Sequence, residues 1–261
     1  MTFIPMSSPI EQIDRAEILL VNDHPTQRAL NDGKKLDTVD AGILQECLHM
    51  CGLTRSEVAV ANIFPTKTNL AGLWTDKGGF TPDAKLFVGA FQERIAQHDS
   101  RVIVPLGKVA CSALLGRSDY TSIRGYPFPY GERVIIPSLH PRDMVWGNYI
   151  WRFYLSHDLH KAKRFASGDA KIREPQLIIC DSVSLVESLV KILRQARLVS
   201  VDIEVSNFEV SCIGFAYDGE HGFSVPIDDR WSEDEEVRVW ELLAEFLESP
   251  VPKVLQNGVF D

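Results

Sequence analysis

The sequence predicts an α/β protein in which a parallel sheet covered by helices on both faces is followed by a second, smaller unit. Two observations lead to this prediction. Short β-branched runs alternate with helical patterns over residues 1–168, and a small, polar linker at 169–175 separates them from a new alternation over 176–261. Strand–helix alternation is typical of parallel sheets with helices on both faces. A chain of 261 residues, 45% of them apolar, is long enough for two cores.

The first unit is expected to contain four strands, each followed by a helix. The apolar runs at 16–21, 58–64, 102–106 and 133–138 predict the strands, and patterns at 37–53, 81–98, 108–115 and a last stretch ending near Ala166 predict the helices. Thr81 is placed as an N-cap, with Pro82 in the first helical turn. We therefore expect a three-layer α/β/α domain with a four-stranded parallel sheet.

The second unit is expected to open with a short strand and an amphipathic helix. Strands are predicted at 176–181, 198–204, 210–218 and 221–227 and from Val254, and helices at 182–197 and from Ser232 to near Leu247. Ser232 and Glu235 have the spacing of a capping box, which predicts the start of the last helix. The three central strands form an antiparallel meander in this prediction.

Two acids end a buried strand of the second unit. Asp202 and Glu204 are separated by one residue, so a strand projects both from the same face. Mg²⁺ and Mn²⁺ prefer carboxylate oxygens, and two such ions about 4 Å apart can activate water and stabilise the leaving oxygen of a phosphodiester. A third acid is needed, and Asp261 is the candidate.

The chain ends in the segment Asn257-Gly258-Val259-Phe260-Asp261. With Asp202 and Glu204, this segment resembles the first two motifs of the DEDD 3′–5′ exonucleases, especially those of the proofreading domain of family A DNA polymerases. The resemblance implies an RNase H-like fold that is incomplete here, because the third motif would lie beyond residue 261. It also implies metal ligation by Asp202, Glu204 and Asp261 and a nucleic-acid contact by Asn257.

Polar residues follow the strands of the first unit. Asn22-Asp23-His24-Pro25, Asn62, Gly107 and His140-Pro141 stand where these strands end, and ligands of open α/β sheets bind at this edge. The segments 102–110 and 135–141, with Asn62, resemble the uracil-DNA glycosylase superfamily, nearest its family 4. The resemblance implies that Asn62 reads a flipped base, that His140 stabilises the departing base, and that Asp23 or His24 acts opposite it. The cysteines do not match the cluster ligands of family 4, so no iron–sulfur cluster is expected.

The charge is unevenly distributed over the two units. Residues 1–170 carry 19 basic and 18 acidic side chains, whereas 171–261 carry 8 and 18. Basic and aromatic side chains near the strand ends of the first unit could meet phosphates and unpaired bases. Lys67, Arg124, Arg142 and Trp146 are the candidates for this role. An equally simple interpretation is a set of solvated charges on a nearly neutral domain.

No secretory signal and no apolar run long enough to span a membrane occurs, so a cytoplasmic protein of a bacterium or phage-infected cell is expected. The two resemblances together occur in some bacteriophage family A DNA polymerases, so we expect the N-terminal part of such a polymerase, with DNA as partner and a polymerase domain in cis. A stand-alone repair glycosylase with a nuclease-like module and a non-catalytic DNA- or replisome-binding module remain alternatives. No feature of the sequence indicates an oligomeric state.

Overall fold

The structure is a computed structural model, and it describes residues 16–33, 36, 38–75, 79–145, 148–256 and 258. The chain forms two compact units, with a boundary between Ile172 and Arg173. Each unit combines a five-stranded sheet with helices, so the predicted α/β class is confirmed. In the described part of the chain, no helix has both the length and the apolar character needed to cross a membrane.

Among the described residues, the sheet of the first unit has five strands rather than the four predicted. They are β1 (Ile18–Asn22), β2 (Val58–Asn62), β3 (Val102–Pro105), β4 (Phe128–Tyr130) and β5 (Arg133–Ile135). Their order is β2-β1-β3-β5-β4, and only β4 runs antiparallel to its neighbour. The additional strand is three residues long and contains Pro129. Proline is tolerated at a sheet edge, because its missing N–H removes no hydrogen bond between strands there. Since proline is rare in strands, the sequence pattern did not predict this one.

Helices cover both faces of this sheet. They are α1 (Gln27–Asn31), α2 (Thr38–Met50), α3 (Pro82–Ala96), α4 (Gly107–Leu115), α5 (Tyr120–Ile123) and α6 (Trp151–Ala166). Successive strand residues point to opposite faces, so Leu20 packs in the core formed with α2 and α6, and Leu19 in the core formed with α3 and α4. The predicted N-cap of α3 is confirmed, because Thr81 Oγ1 accepts a hydrogen bond from Ala84 N at 3.4 Å.

The second unit contains a mixed sheet with helices on one face. Its elements are β6 (Gln176–Ile179), α7 (Val183–Leu193), β7 (Val199–Ser206), β8 (Glu209–Ala216), β9 (His221–Pro226), α8 (Glu233–Leu247) and β10 (Lys253–Leu255). The order is β10-β7-β8-β9-β6, in which β7, β8 and β9 form the predicted antiparallel meander. The Ser232–Glu235 capping box at the start of α8 is also confirmed.

Only one face of the second sheet is covered by these helices. Val199 and Val201 of β7 are buried against α7 and α8. Ser200, Asp202 and Glu204 alternate with them and are exposed on the opposite face. That face therefore remains accessible within the described part of this unit.

Candidate functional site

Four polar side chains of the first unit meet at the carboxyl ends of its parallel strands. Asn22 and Asn62 are the last residues of β1 and β2, and the parallel register places them side by side. Asp23 follows β1 directly, and His140 lies on the loop after β5. All four are buried. The sheet thus gathers hydrogen-bonding groups from three segments of the chain at one edge.

Gly107 permits the close approach of His140 to this edge. Its φ is +77°, a conformation that side chains other than glycine rarely adopt, and a Cβ built on it would lie 2.9 Å from the Cβ of His140. Gly107 N also donates to Ser138 O at 2.9 Å, which ties the start of α4 to the segment that leads to His140. A larger residue at 107 would therefore displace His140.

A continuous chain of hydrogen bonds links His140, Asn22 and Asn62. Arg142 N donates to His140 Nδ1 at 2.9 Å, His140 Nε2 lies 2.6 Å from Asn22 Oδ1, and Asn22 Nδ2 lies 2.7 Å from Asn62 Oδ1. Asn22 Nδ2 also donates to the carbonyl of His24 at 3.0 Å.

Backbone groups fix the direction of every bond in this chain. A main-chain N–H can only donate, so His140 Nδ1 is an acceptor and the proton lies on Nε2. A carbonyl can only accept, so the atom of Asn22 that faces His24 O is the amide nitrogen. His140 therefore presents a donor at this site, and Asn62 presents an acceptor.

Asp23 adds a buried negative charge beside this chain. Its Oδ2 lies 3.3 Å from Arg142 Nη1, and its Oδ1 accepts from His24 N at 2.7 Å and lies 3.7 Å from His140 Nε2. Burial alone would raise the pKa of Asp23, but the imidazole of His140, the guanidinium of Arg142 and the N–H of His24 outweigh it and hold that pKa well below its ordinary value. Asp23 is therefore a carboxylate at neutral pH.

His24 contributes mainly through its backbone. Its Nδ1 lies 2.9 Å from Pro25 O, so the ring is held against its own loop, while its N–H and carbonyl bind Asp23 and Asn22. Of the four predicted residues, Asp23, Asn62 and His140 thus bring side-chain groups together. Asn22 was not predicted as a site residue, although its parallel alignment with Asn62 could have indicated it.

Two of the basic residues proposed for phosphate binding are engaged inside the protein. Arg124 forms a bidentate ion pair with Asp158, at 3.1 Å from Nε and 2.7 Å from Nη2. Arg142 lies between Asp23 and Asp40, at 3.3 and 3.5 Å. Both therefore help to organise the fold and the site, and their contact with phosphates stays a prediction, as does that of Lys67, which is exposed. Trp146 lies outside the described residues.

The acids of the second unit lie on the open face of its sheet. Asp202 is opposite Gly214, and Glu204 is opposite Cys212 on β8. Asp202 borders a groove of about 420 Å³, lined in part by Leu177, Ser200, Gly214 and Gly222. No group of three or more side chains able to hold a metal is found among the described residues, and Asn257 and Asp261 lie outside them. Two carboxylates on one sheet face supply some of the oxygen ligands that a hard divalent cation requires.

Two of three comparisons with known proteins found a match. A family model for the uracil DNA glycosylase superfamily matches residues 11–167. Among curated proteins, none matches the chain. A solved structure of SMUG2 from Pedobacter heparinus covers 60% of this chain and 78% of its own, at 10% identity and a TM-score of 0.35.

A second solved structure resembles part of the chain. It is RNase D of Escherichia coli, an exoribonuclease involved in structured RNA processing, with 22% identity over 34% of this chain and a TM-score of 0.26. The chain spans only 22% of the length of that RNase D chain. Both TM-scores are low, so neither likeness bears on function.

Proposed function

The chain belongs to the uracil DNA glycosylase superfamily, and on that premise we propose that its first unit binds DNA and recognises an extruded uracil-type base at the strand ends. The site comprises Asp23, Asn62 and His140, with Asn22 between the last two. Enzymes that act on a base take it out of the stack and read its hydrogen-bonding edge in a pocket.

This proposal rests on the fixed hydrogen-bonding character of the two side chains that would contact the base. His140 Nε2–H is a donor and Asn62 Oδ1 an acceptor, and both lie within hydrogen-bond distance of one carboxamide. Uracil offers the matching pair, an O2 acceptor beside an N3–H donor. Cytosine has a lone pair at N3, which would face the Asn62 oxygen. The site therefore favours uracil over cytosine.

The same groups suit the cleavage of an N-glycosidic bond. When that bond breaks, its electron pair stays on the base, water adds to C1′ of the sugar, and the proton released by that water neutralises the base. The His140 donor would stabilise negative charge on the base, and the Asp23 carboxylate would stabilise positive charge on the sugar. We propose that excision is weak, because both Asp23 oxygens and the His140 donor already have partners in the protein.

The full chain is expected to bind a single-stranded oligonucleotide with one uracil more tightly than the same oligonucleotide with cytosine. One satisfied or frustrated hydrogen bond in a buried site corresponds to about a 5- to 100-fold difference in Kd. Fluorescence anisotropy at a fixed salt concentration measures both constants. Equal affinities would reject base recognition, whereas rapid uracil release would favour a repair glycosylase over a binding module.

A second proposal concerns the second unit. We propose that it is the first part of a two-metal 3′–5′ exonuclease domain with an RNase H-like fold, within a longer family A DNA polymerase. The exposure of Asp202 and Glu204 on one open sheet face supports it. A bound Mg²⁺ or Mn²⁺ would supply water activation and charge stabilisation. Asp202 and Glu204 would hold the ion, together with Asp261.

Titration with Mn²⁺ is expected to broaden the NMR signals of β7 and β8 around Asp202, because this paramagnetic ion acts over short distances. Weak binding is expected, because Asp202 and Glu204 are both exposed to solvent on the open sheet face. Asp202→Asn should remove the broadening, whereas Glu248→Gln at the end of α8 should not. Broadening that is the same in both variants would contradict the metal site.

A further inference from the structure

Asn22 occupies the centre of the proposed base-recognition site. Its side chain is almost wholly buried, with 1% of its surface exposed. Its amide oxygen accepts a hydrogen bond from His140 Nε2–H at 2.6 Å, and its amide nitrogen donates one to Asn62 Oδ1 at 2.7 Å. The donor and the acceptor that would read a base are therefore both engaged by one side chain of the protein itself.

The carboxamide of Asn22 has the chemistry of a uracil edge. In a carboxamide, as in the C2–N3 edge of uracil, an acceptor oxygen and a donor N–H are attached to the same carbon. Both would place the oxygen toward His140 and the N–H toward Asn62. Because the single proton of His140 Nε2 is engaged by Asn22, the base and Asn22 would compete for it, and Asn22 Nδ2 already occupies one of the two lone pairs of Asn62 Oδ1.

Resting on the proposed base recognition, we propose that Asn22 is an internal substitute for the base, which closes the site in the absence of DNA and must be displaced before a base is read. It would thereby act as a specificity-determining residue. A base with an adjacent acceptor and donor regains both hydrogen bonds that Asn22 gives up. A base without that pair displaces Asn22 and leaves buried groups unsatisfied.

This role predicts a gain of affinity on truncation. If the site is closed by Asn22 in about nine molecules out of ten, the apparent affinity is reduced about tenfold, and removal of the side chain restores it. If Asn22 only holds Asn62 and His140 in place, its truncation should weaken the binding of uracil, because both side chains that contact the base would become disordered. The sign of the change in Kd separates the two roles.

The test measures binding of the full chain, as wild type, Asn22→Ala and Asn22→Ser, to a single-stranded oligonucleotide with one uracil. An otherwise identical oligonucleotide with an abasic site, which keeps the phosphates and lacks the base, is the control. Both variants are expected to bind the uracil oligonucleotide about tenfold more tightly than wild type and the abasic one equally well. The gain should disappear in the double variant Asn22→Ala, Asn62→Ala.

Unchanged or weaker uracil binding by folded variants would overturn the inference, and so would loss of the fold in both, since Asn22 would then be a brace. Either result leaves the proposed function standing if wild type still prefers uracil to the abasic site. If wild type and variants all bind both oligonucleotides equally, base recognition itself fails.

Discussion

Replacing Arg124 with methionine is expected to lower the free energy of unfolding of the first unit by about 3–5 kcal/mol at neutral pH. Arg124 donates two hydrogen bonds to Asp158, whose side chain is fully buried, and Ser138 Oγ donates a third at 2.7 Å. Methionine keeps most of the apolar stem and removes the guanidinium. The carboxylate would then lie in the interior without a cation. Urea unfolding monitored by tryptophan fluorescence measures the change.

The loss of stability in the Arg124 variant should become smaller as the pH falls. Burial raises the pKa of Asp158, and Ser138 and Arg124 counteract this effect. Without Arg124, that pKa in the folded state rises further above its value in the unfolded chain. The folded variant therefore binds a proton more readily, and its deficit shrinks when the pH falls through the raised pKa.

A surface ion pair provides the matched control. Arg117 pairs with Asp119 in a setting where both side chains are about half exposed, so Arg117→Met should lower the free energy of unfolding far less than Arg124→Met does. If Arg124→Met is as mild as Arg117→Met, the buried pair does not organise this unit. A pH-independent deficit would show that Asp158 is not the group left without its partner.

Replacing His140 with alanine is expected to reduce the preference for uracil over an abasic site by about 10- to 100-fold. The variant lacks the Nε2–H that serves as the donor in the proposed recognition of the base edge. Any residual uracil release should fall as well, because negative charge on the leaving base would lose its stabilising N–H. Competition binding with the two oligonucleotides measures the first effect.

His157→Ala is a suitable control for this variant. His157 lies on α6 and is exposed, and it has no part in the hydrogen-bond chain at the strand ends. Its replacement should leave the uracil preference unchanged. An undiminished uracil preference in His140→Ala would assign base reading to other residues.

The strand positions and the site edge could be predicted because they depend on local patterns. Continuous apolar runs gave β1 and β2, both buried along their whole length. Parallel strands place their carboxyl ends at one edge, so Asn62 and His140 were expected to meet. Gly107 was recognised as a turn, but its close contact with His140 depends on a distance that no sequence pattern contains.

Other features depend on tertiary contacts. Arg124 was proposed as a phosphate ligand because it is basic and lies in a predicted loop, whereas 34 residues separate it from the buried Asp158 that neutralises it. The sequence pattern indicates for Asn22 only that it is a polar residue at the end of a strand. Its role as the link between Asn62 and His140 arises only when β1, β2 and the loop after β5 are assembled.

The central claim, that His140 and its partners read a base, can be tested on the imidazole of His140 itself. Nitrogen-15 NMR of the histidine side chains, assigned with His140→Gln, reports the environment of Nε2 during titration with DNA. A shift of the His140 Nε2 signal with a uracil oligonucleotide, and none with an equally saturating abasic oligonucleotide, is the predicted result. An unchanged His140 signal in a protein saturated with uracil-containing DNA would contradict the claim.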